Sequence, residues 1–346
     1  MIKPQKLKKG DTVAIVSLSS GSAGEKMLKH RYLLGKKRLE EEFGLKTITM
    51  PNALKGCDYV KKHPEKRAED LMKAFSDKNI KGIICAIGGD DTVRLLPYID
   101  FDVIKKNPKL FMGYSDTTVN HFMMYKAGLI SYYGPSVMCE LAENEKMHDY
   151  TKQYLNEVLF ENKKNITIES SPKWTSEFLD WAEESNDNIA RKMQNEKHGY
   201  EVLQGKGVVE GKLLGGCLDV FQMFIGTSIW PKTNKWENKI LFLETSEDEV
   251  DPMFVEYFLR NLIAEGIISK ISGIIIGKPN NEKYYEEYKE VYKRMISEEA
   301  NRPDLPILFN VNFGHTAPMC ILPIGIKIRL DLDNKKITFL EKPMKD

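Results

Sequence analysis

The stretch Lys109-Leu110-Phe111-Met112-Gly113-Tyr114-Ser115-Asp116-Thr117-Thr118 reads as a short strand, a sharp turn carrying a serine, and the start of a helix. Leu110 to Met112 are apolar and precede a glycine, Asp116 and Thr117 are helix-starting residues, and Val119 to Ala127 supply apolar side chains that a helix can bury. A serine at such a turn is held out of the sheet, close to the N–H groups of the first helical turn. That is the mechanical logic of a nucleophile elbow. The same pattern is also ordinary N-capping chemistry, and the stretch alone does not choose between the two.

Working outward, strands and helices alternate. Asp11 to Leu18 reads as a strand buried on both faces, because its apolar run is nearly unbroken. Glu25 to Phe43 is helical by period, Leu45 to Met50 a strand, Glu65 to Phe75 a helix, and Gly82 to Ile87 a third strand followed at once by Gly88-Gly89-Asp90-Asp91-Thr92. A helix over 117–127, a strand over 129–133 and a helix over 146–160 follow. The alternation implies a parallel, doubly wound sheet, whose site lies beyond the carboxyl ends of its strands. The turns at 19–24, 88–92 and 113–117 occupy that edge.

From about Glu161 to Tyr200 the chain turns polar, with Trp174 and Trp181 set in it; this reads as a linker and a partly ordered loop, the tryptophans being anchors or part of a binding lid. Beyond Val202, glycine-punctuated β-like pieces lead to a helical Leu218–Ile225. A strand over 239–244 ends in Glu244. A helix over 252–264, a strand over 272–276, a charged helix over 284–298 and a strand over 307–313 follow, the last ending in Gly314-His315-Thr316. Residues 326–330 and 336–340 read as a closing hairpin.

The bulk numbers narrow the function classes. The 346 residues suffice for two domains, and 51 basic against 50 acidic residues give a net charge of +1. That balance carries no electrostatic footprint for nucleic acid or an anionic membrane. No apolar run approaches the ~18 residues of a membrane span, no signal-peptide core follows the N-terminus, and the expected location is cytoplasmic. Five scattered cysteines, Cys57, Cys85, Cys139, Cys217 and Cys320, form no C-x-x-C pair. They read as small buried residues, with neither a disulfide framework nor a metal site.

Three polar residues each close an apolar strand: Ser115, Glu244 and His315. A serine needs a base to become nucleophilic near neutral pH, an imidazole can take and later return that proton, and a carboxylate behind it fixes the tautomer. Glu247, Asp248 and Glu249 compete for the role of Glu244. His121, on the helix after Ser115, is the nearest rival base, while His30, His63 and His148 read as surface and His198 as a loop residue. Backbone N–H groups of Gly88, Gly89 and Asp90, with the amide of Asp116, could receive an oxyanion. The same glycines allow a rival reading, because Gly-Gly-Asp-Asp-Thr approaches the Gly-Gly-Asp-Gly-Thr loop of several kinases; here Asp91 stands where a phosphate would need bare backbone.

Six blocks in order resemble the LD-carboxypeptidase family of serine peptidases: Ala86–Asp91, Phe111–Asp116, Tyr133-Gly134-Pro135, Gly211–Leu218, Leu241–Glu244 and Gly314-His315-Thr316. Within it the chain is most similar to the branch containing the microcin C immunity peptidase. The resemblance runs from about residue 4 to 340. It implies an α/β fold: an N-terminal Rossmann-like parallel-sheet domain (1–165) carrying the nucleophile, a linker and loop (166–200), and a C-terminal mixed, β-rich α/β domain (201–346). It implies a Ser115–Glu244–His315 triad, an oxyanion site at Gly88, Gly89, Asp90 and Asp116, no metal or cofactor, and a homodimer. The implied substrate is a small peptide or a peptidyl or aminoacyl-nucleotide conjugate, with murein tetrapeptide recycling as the alternative. A loop tryptophan, Trp181 or Trp174, would stack on the base, and Trp181 is the candidate carried forward. One departure stands out: Cys217 occupies a position where many relatives carry Asn.

Overall fold

In the computed structural model, which describes residues 1–346, two sheets carry the chain. The first contains five parallel strands, Thr12–Val16, Lys46–Thr49, Ile80–Cys85, Leu110–Gly113 and Ser131–Tyr133, in the spatial order second, first, third, fourth, fifth. The strand order reverses between the first and third strands, and a doubly wound sheet opens a crevice at that point. The apolar runs behave as expected of a parallel sheet: Val13 to Val16, Ile83 to Cys85 and Leu110 to Gly113 are all buried.

A sixth strand, Leu322–Ile324, pairs antiparallel with Ser131–Tyr133. It comes from the far end of the chain and was not anticipated; three residues around Pro323 are too few for a periodic signal. The short helices Cys57–Lys62 and Phe101–Lys106 were also missed, although Asp100 caps the second through Asp102 N–H at 2.9 Å and Val103 N–H at 3.1 Å. The helix expected over 25–43 is regular only from Lys29 to Glu41, after two short 3-10 turns. The one expected over 218–225 lasts only from Leu218 to Phe221.

The second sheet has eight strands. Its centre is parallel, running Val208–Cys217, Lys239–Glu244, Gly273–Gly277, Ile307–Val311, with antiparallel strands on both flanks, including the expected hairpin Lys327–Asp331 and Lys336–Phe339. One contiguous cluster of 94 buried apolar side chains runs through both sheets. Packing therefore fixes how the strand ends of one sheet face those of the other. No helix is long and apolar enough to cross a membrane.

Trp174 is an anchor. It is 2 % exposed, with the Lys278 ammonium 4.2 Å from its ring centroid. The cysteines are only partly as expected: all five are free, but Cys57 is exposed and Cys139 half-buried.

Candidate active site

Ser115 sits just past the strand Leu110–Gly113 with φ +61°, a left-handed conformation that a non-glycine residue adopts only when its surroundings impose it. Those surroundings are bare backbone. A Cβ on Gly113 would lie 2.9 Å from Thr117 Cγ2, and one on Gly88 would lie 2.8 Å from Ser115 Cβ. The Ser115 side chain does not cap the helix that follows, so the capping alternative is not what this hydroxyl does.

Asp116 is tied elsewhere. Its buried Oδ2 accepts from Ser19 Oγ at 2.5 Å, Asp91 N–H at 3.0 Å, Thr92 N–H at 2.9 Å and Thr92 Oγ1 at 2.6 Å. That one carboxylate clamps the ends of the first and third strands to the elbow. The Gly88-Gly89-Asp90 turn is thereby held over Ser115, and the N–H groups of Gly89 and Asp116 have no partner within the protein. Asp91, the residue that spoils the kinase-like loop, pairs with Arg67 (2.5 and 3.2 Å) and Arg94 (2.9 Å). It is a structural clasp, which leaves the phosphate-loop reading without a free side chain or an open turn.

The second sheet supplies the other half of the site. Cys217 and Glu244 end adjacent parallel strands and are register partners. Glu244, 1 % exposed, accepts from His315 Nδ1 at 2.7 Å. Gly314, with φ +95°, makes this possible: a Cβ there would lie 2.6 Å from Glu244 Cδ. The other Glu244 oxygen accepts the Tyr133 hydroxyl proton, and the same hydroxyl accepts the Ser115 N–H at 3.2 Å. Tyr133 thus bridges the Ser115 backbone and the buried Glu244 carboxylate across the two sheets. Burial, and then Glu244, hold its own pKa well above the ordinary phenol range. Its role was not read from the sequence, because an aromatic residue in a buried strand looks like core.

His315 is the imidazole the geometry selects. His121 is buried with both nitrogens used, Nδ1 on Ser131 Oγ at 2.8 Å and Nε2 on the Gly113 carbonyl at 2.9 Å, and burial pushes it down to about 4. For His315, burial lowers the pKa, but Glu244, then Glu247 and Asp219, outweigh it and raise it to about 9. Its Nε2 lies 3.1 Å from a Glu247 carboxylate oxygen, and no hydrogen bond joins it to Ser115. Glu247 therefore occupies the place a serine hydroxyl would take. Two histidines read as surface prove to be structural. His30 bonds Asp187 at 2.6 Å and the Trp181 carbonyl at 3.0 Å, and His148 lies 3.2 Å from Glu143.

Ser115, Gly88, Gly89, Asp90, Trp181, Cys217 and His315 all line one cavity of about 670 Å³. Asp90 is exposed at its rim. Trp181 lies under the Arg31 guanidinium, 4.4 Å from Cζ to ring centroid, beside the exposed Phe178 at 5.9 Å. Arg31, His30 and Asn144 pin the Trp181 loop through Asp187 and Asn186. The two tryptophans therefore divide the roles weighed for them: Trp174 is packed into the body and Trp181 faces the cavity.

The chain matches known proteins over nearly its whole length. Residues 13–134 match the LD-carboxypeptidase N-terminal domain and residues 210–330 the LD-carboxypeptidase C-terminal domain. The microcin C7 self-immunity protein MccF of Escherichia coli is 30% identical, over 96% of this chain and 94% of its own. The solved structure of MccF in complex with aspartyl sulfamoyl adenosine covers 100% of both chains with a TM-score of 0.86 at 28% identity. An MccF-like protein from Streptococcus pneumoniae, solved in complex with AMP, is 38% identical with a TM-score of 0.86, covering 95% of this chain and 98% of that one. A probable murein peptide carboxypeptidase of Bacillus subtilis is 28% identical over 96% of this chain and 92% of its own. The chain belongs to the LD-carboxypeptidase family of serine peptidases.

Proposed function

We propose that the protein is a serine hydrolase that cleaves the amide bond of a small aminoacyl- or peptidyl-nucleotide conjugate through an acyl-enzyme. The observation that carries the reading is the left-handed Ser115 in one cavity with the buried Glu244–His315 pair. Ser115 Oγ attacks the carbonyl carbon while His315 Nε2 takes its proton; Glu244 holds Nδ1–H and stabilises the imidazolium. The free N–H groups of Gly89 and Asp116 receive the developing oxyanion. His315 then protonates the leaving nitrogen, and water, deprotonated by the same imidazole, releases the acyl group. Glu247 must leave Nε2 before the first step.

The nucleotide half of the proposal is supported by Trp181 at the cavity wall, an aromatic face on which a base can stack, and by the ligands named for MccF and its Streptococcus pneumoniae relative. The test is hydrolysis of an aminoacyl adenylate analogue against a murein tetrapeptide by the purified protein, with Ser115→Ala as control. Cleavage of the nucleotide conjugate that disappears in Ser115→Ala supports the reading. Cleavage of the tetrapeptide alone moves the substrate to the murein class, and turnover undiminished in Ser115→Ala refutes the mechanism.

The same reading places the nucleophile on an N-terminal domain and its partners on a C-terminal one, and describes a cytoplasmic homodimer. Sedimentation equilibrium of the purified chain checks the last point.

A further inference from the structure

Cys217, Glu244 and His315 form a group that hydrolysis does not need as a trio. The Cys217 sulfur, a Glu244 oxygen and a His315 nitrogen all lie within 4.8 Å of one another. Cys217 and Glu244 face each other as register partners at the ends of adjacent parallel strands, and Gly314 lets His315 close the triangle. Both Cys217 and Glu244 are buried, yet Cys217 and His315 also line the open cavity, so an ion entering with solvent can reach them. Two residues beyond Cys217, Asp219 lines the same cavity, and its buried Oδ1 has no hydrogen-bond partner.

A thiolate, an imidazole and a carboxylate converging from three strand ends are three of the four donors of a tetrahedral zinc site, and the cavity leaves the fourth position to solvent. Zinc binds such ligands at about 2.0–2.3 Å, so the three donors need move inward by only a fraction of their present separation. We propose that this cluster is a reversible inhibitory site for a thiophilic divalent cation, Zn²⁺ or Cd²⁺, built on the catalytic pair itself.

The chemistry balances without an outside reactant. On binding, Cys217 gives its thiol proton to solvent and the sulfur bonds the metal. His315, an imidazolium near neutral pH, gives its Nδ1 proton to solvent as Nδ1 exchanges its hydrogen bond to Glu244 for the metal, and the ring proton that remains is on Nε2. In that state Nε2 is a donor facing Glu247 and cannot accept the Ser115 proton, so the nucleophile is left without a base. Removing the ion with a chelator lets solvent return one proton to Cys217 and one to His315 Nδ1, which restores the original pair. Nothing is oxidised, and the ion is an inhibitor, separate from the metal-free hydrolysis proposed above. Only the inhibition half depends on that hydrolysis; binding does not.

Binding is therefore read directly. Cd²⁺ is titrated into a Cys57→Ser protein, which lacks the one exposed thiol, while the ultraviolet sulfur-to-cadmium charge-transfer absorption is followed. One equivalent should raise the band, and Zn²⁺ should compete it away. Adding Cys217→Ser should abolish the band and weaken the metal-induced rise in melting temperature by an affinity loss of more than about tenfold. Circular dichroism of the double variant without metal reports that it is folded. In the hydrolysis assay Zn²⁺ should inhibit, with full recovery in EDTA. No band in Cys57→Ser, or the same band with Cys217→Ser added, overturns the site. A band without any hydrolytic activity leaves the site standing and refutes the proposed function instead.

Discussion

Glu247→Gln should make the enzyme faster at neutral pH. The Glu247 carboxylate lies 3.1 Å from His315 Nε2 on a side chain that is 67% exposed. At that distance, in a medium close to water, the attraction between carboxylate and imidazolium is about 1 kcal/mol. That is about one pKa unit. His315 is held at about 9, so near pH 7 only about 1% of it carries a free Nε2. The base must be neutral, hence kcat/KM should climb as pH rises and level off above about 9. Removing the Glu247 charge should move this acidic limb down by up to one unit and raise kcat/KM at pH 7 by about three- to tenfold. Since kcat/KM reports the free enzyme, the limb belongs to the state in which Glu247 sits on Nε2. Salt should mimic the substitution in part, because at 1 M the Debye length falls to about 3 Å. A pH–rate profile of both proteins at low and high salt checks this. An unmoved limb, or a fall in activity at every pH, would refute the reasoning and make Glu247 a substrate ligand.

Three further outcomes follow from single contacts. Tyr133→Phe keeps the ring but deletes the hydroxyl shared by Ser115 N–H and Glu244; kcat should drop about 10- to 100-fold, as for lost supporting groups elsewhere, while the melting temperature changes little, both read from steady-state kinetics and calorimetry. Asp116→Ala removes one oxygen that serves four donors, leaving buried N–H groups unpaired; the protein should lose about 2–4 kcal/mol of stability by urea unfolding. Trp181→Ala should weaken a nucleotide substrate by about 1–3 kcal/mol in KM without changing the KM of a substrate that has no base, which a paired assay measures.

The parts of the site legible in the sequence share one property: a polar residue breaking an apolar strand run. Ser115, Glu244 and His315 stand out because burial patterning is local and the residues that end it are conspicuous. Trp181 stood out for the converse reason, an aromatic ring in a polar stretch. The roles of Tyr133 and Glu247 were not legible, since they lie in contacts 111 and 68 residues away, to Glu244 and His315. Tyr133 lies in a buried strand where any aromatic would pack, and Glu247 is one acid among three neighbours. His30 and His148 were misread because polar neighbours in sequence do not reveal that a distant loop will fold over them. The parallel first sheet was readable from unbroken apolar runs, while the parallel centre of the second was not read; nor was Leu322–Ile324, since only the opposite end of the chain tells it to join the first sheet.

In the proposed mechanism the serine's chemistry is assembled by docking. The first sheet positions Ser115 and holds its oxyanion turn through Asp116; the second holds Glu244 and His315. Three contacts register one against the other at the site. Tyr133 spans from Ser115 N–H to Glu244. Thr118 Oγ1, on the helix after the nucleophile, accepts the Cys217 N–H at 3.0 Å. Gly216 allows that approach, for a Cβ there would lie 2.5 Å from Thr118 Cγ2. All three lie at strand ends or the first helical turn next to Ser115 or Glu244. A displacement of one sheet by even about 1 Å would therefore separate nucleophile from base, a misplacement that can cost about a hundredfold in rate. Gly216→Ala tests the point. It adds one methyl that meets Thr118 in a strained backbone conformation and costs stability, but it touches no reacting atom, so activity per folded molecule should fall far more than the folded fraction does. Equal loss of both would place the coupling in the common core instead.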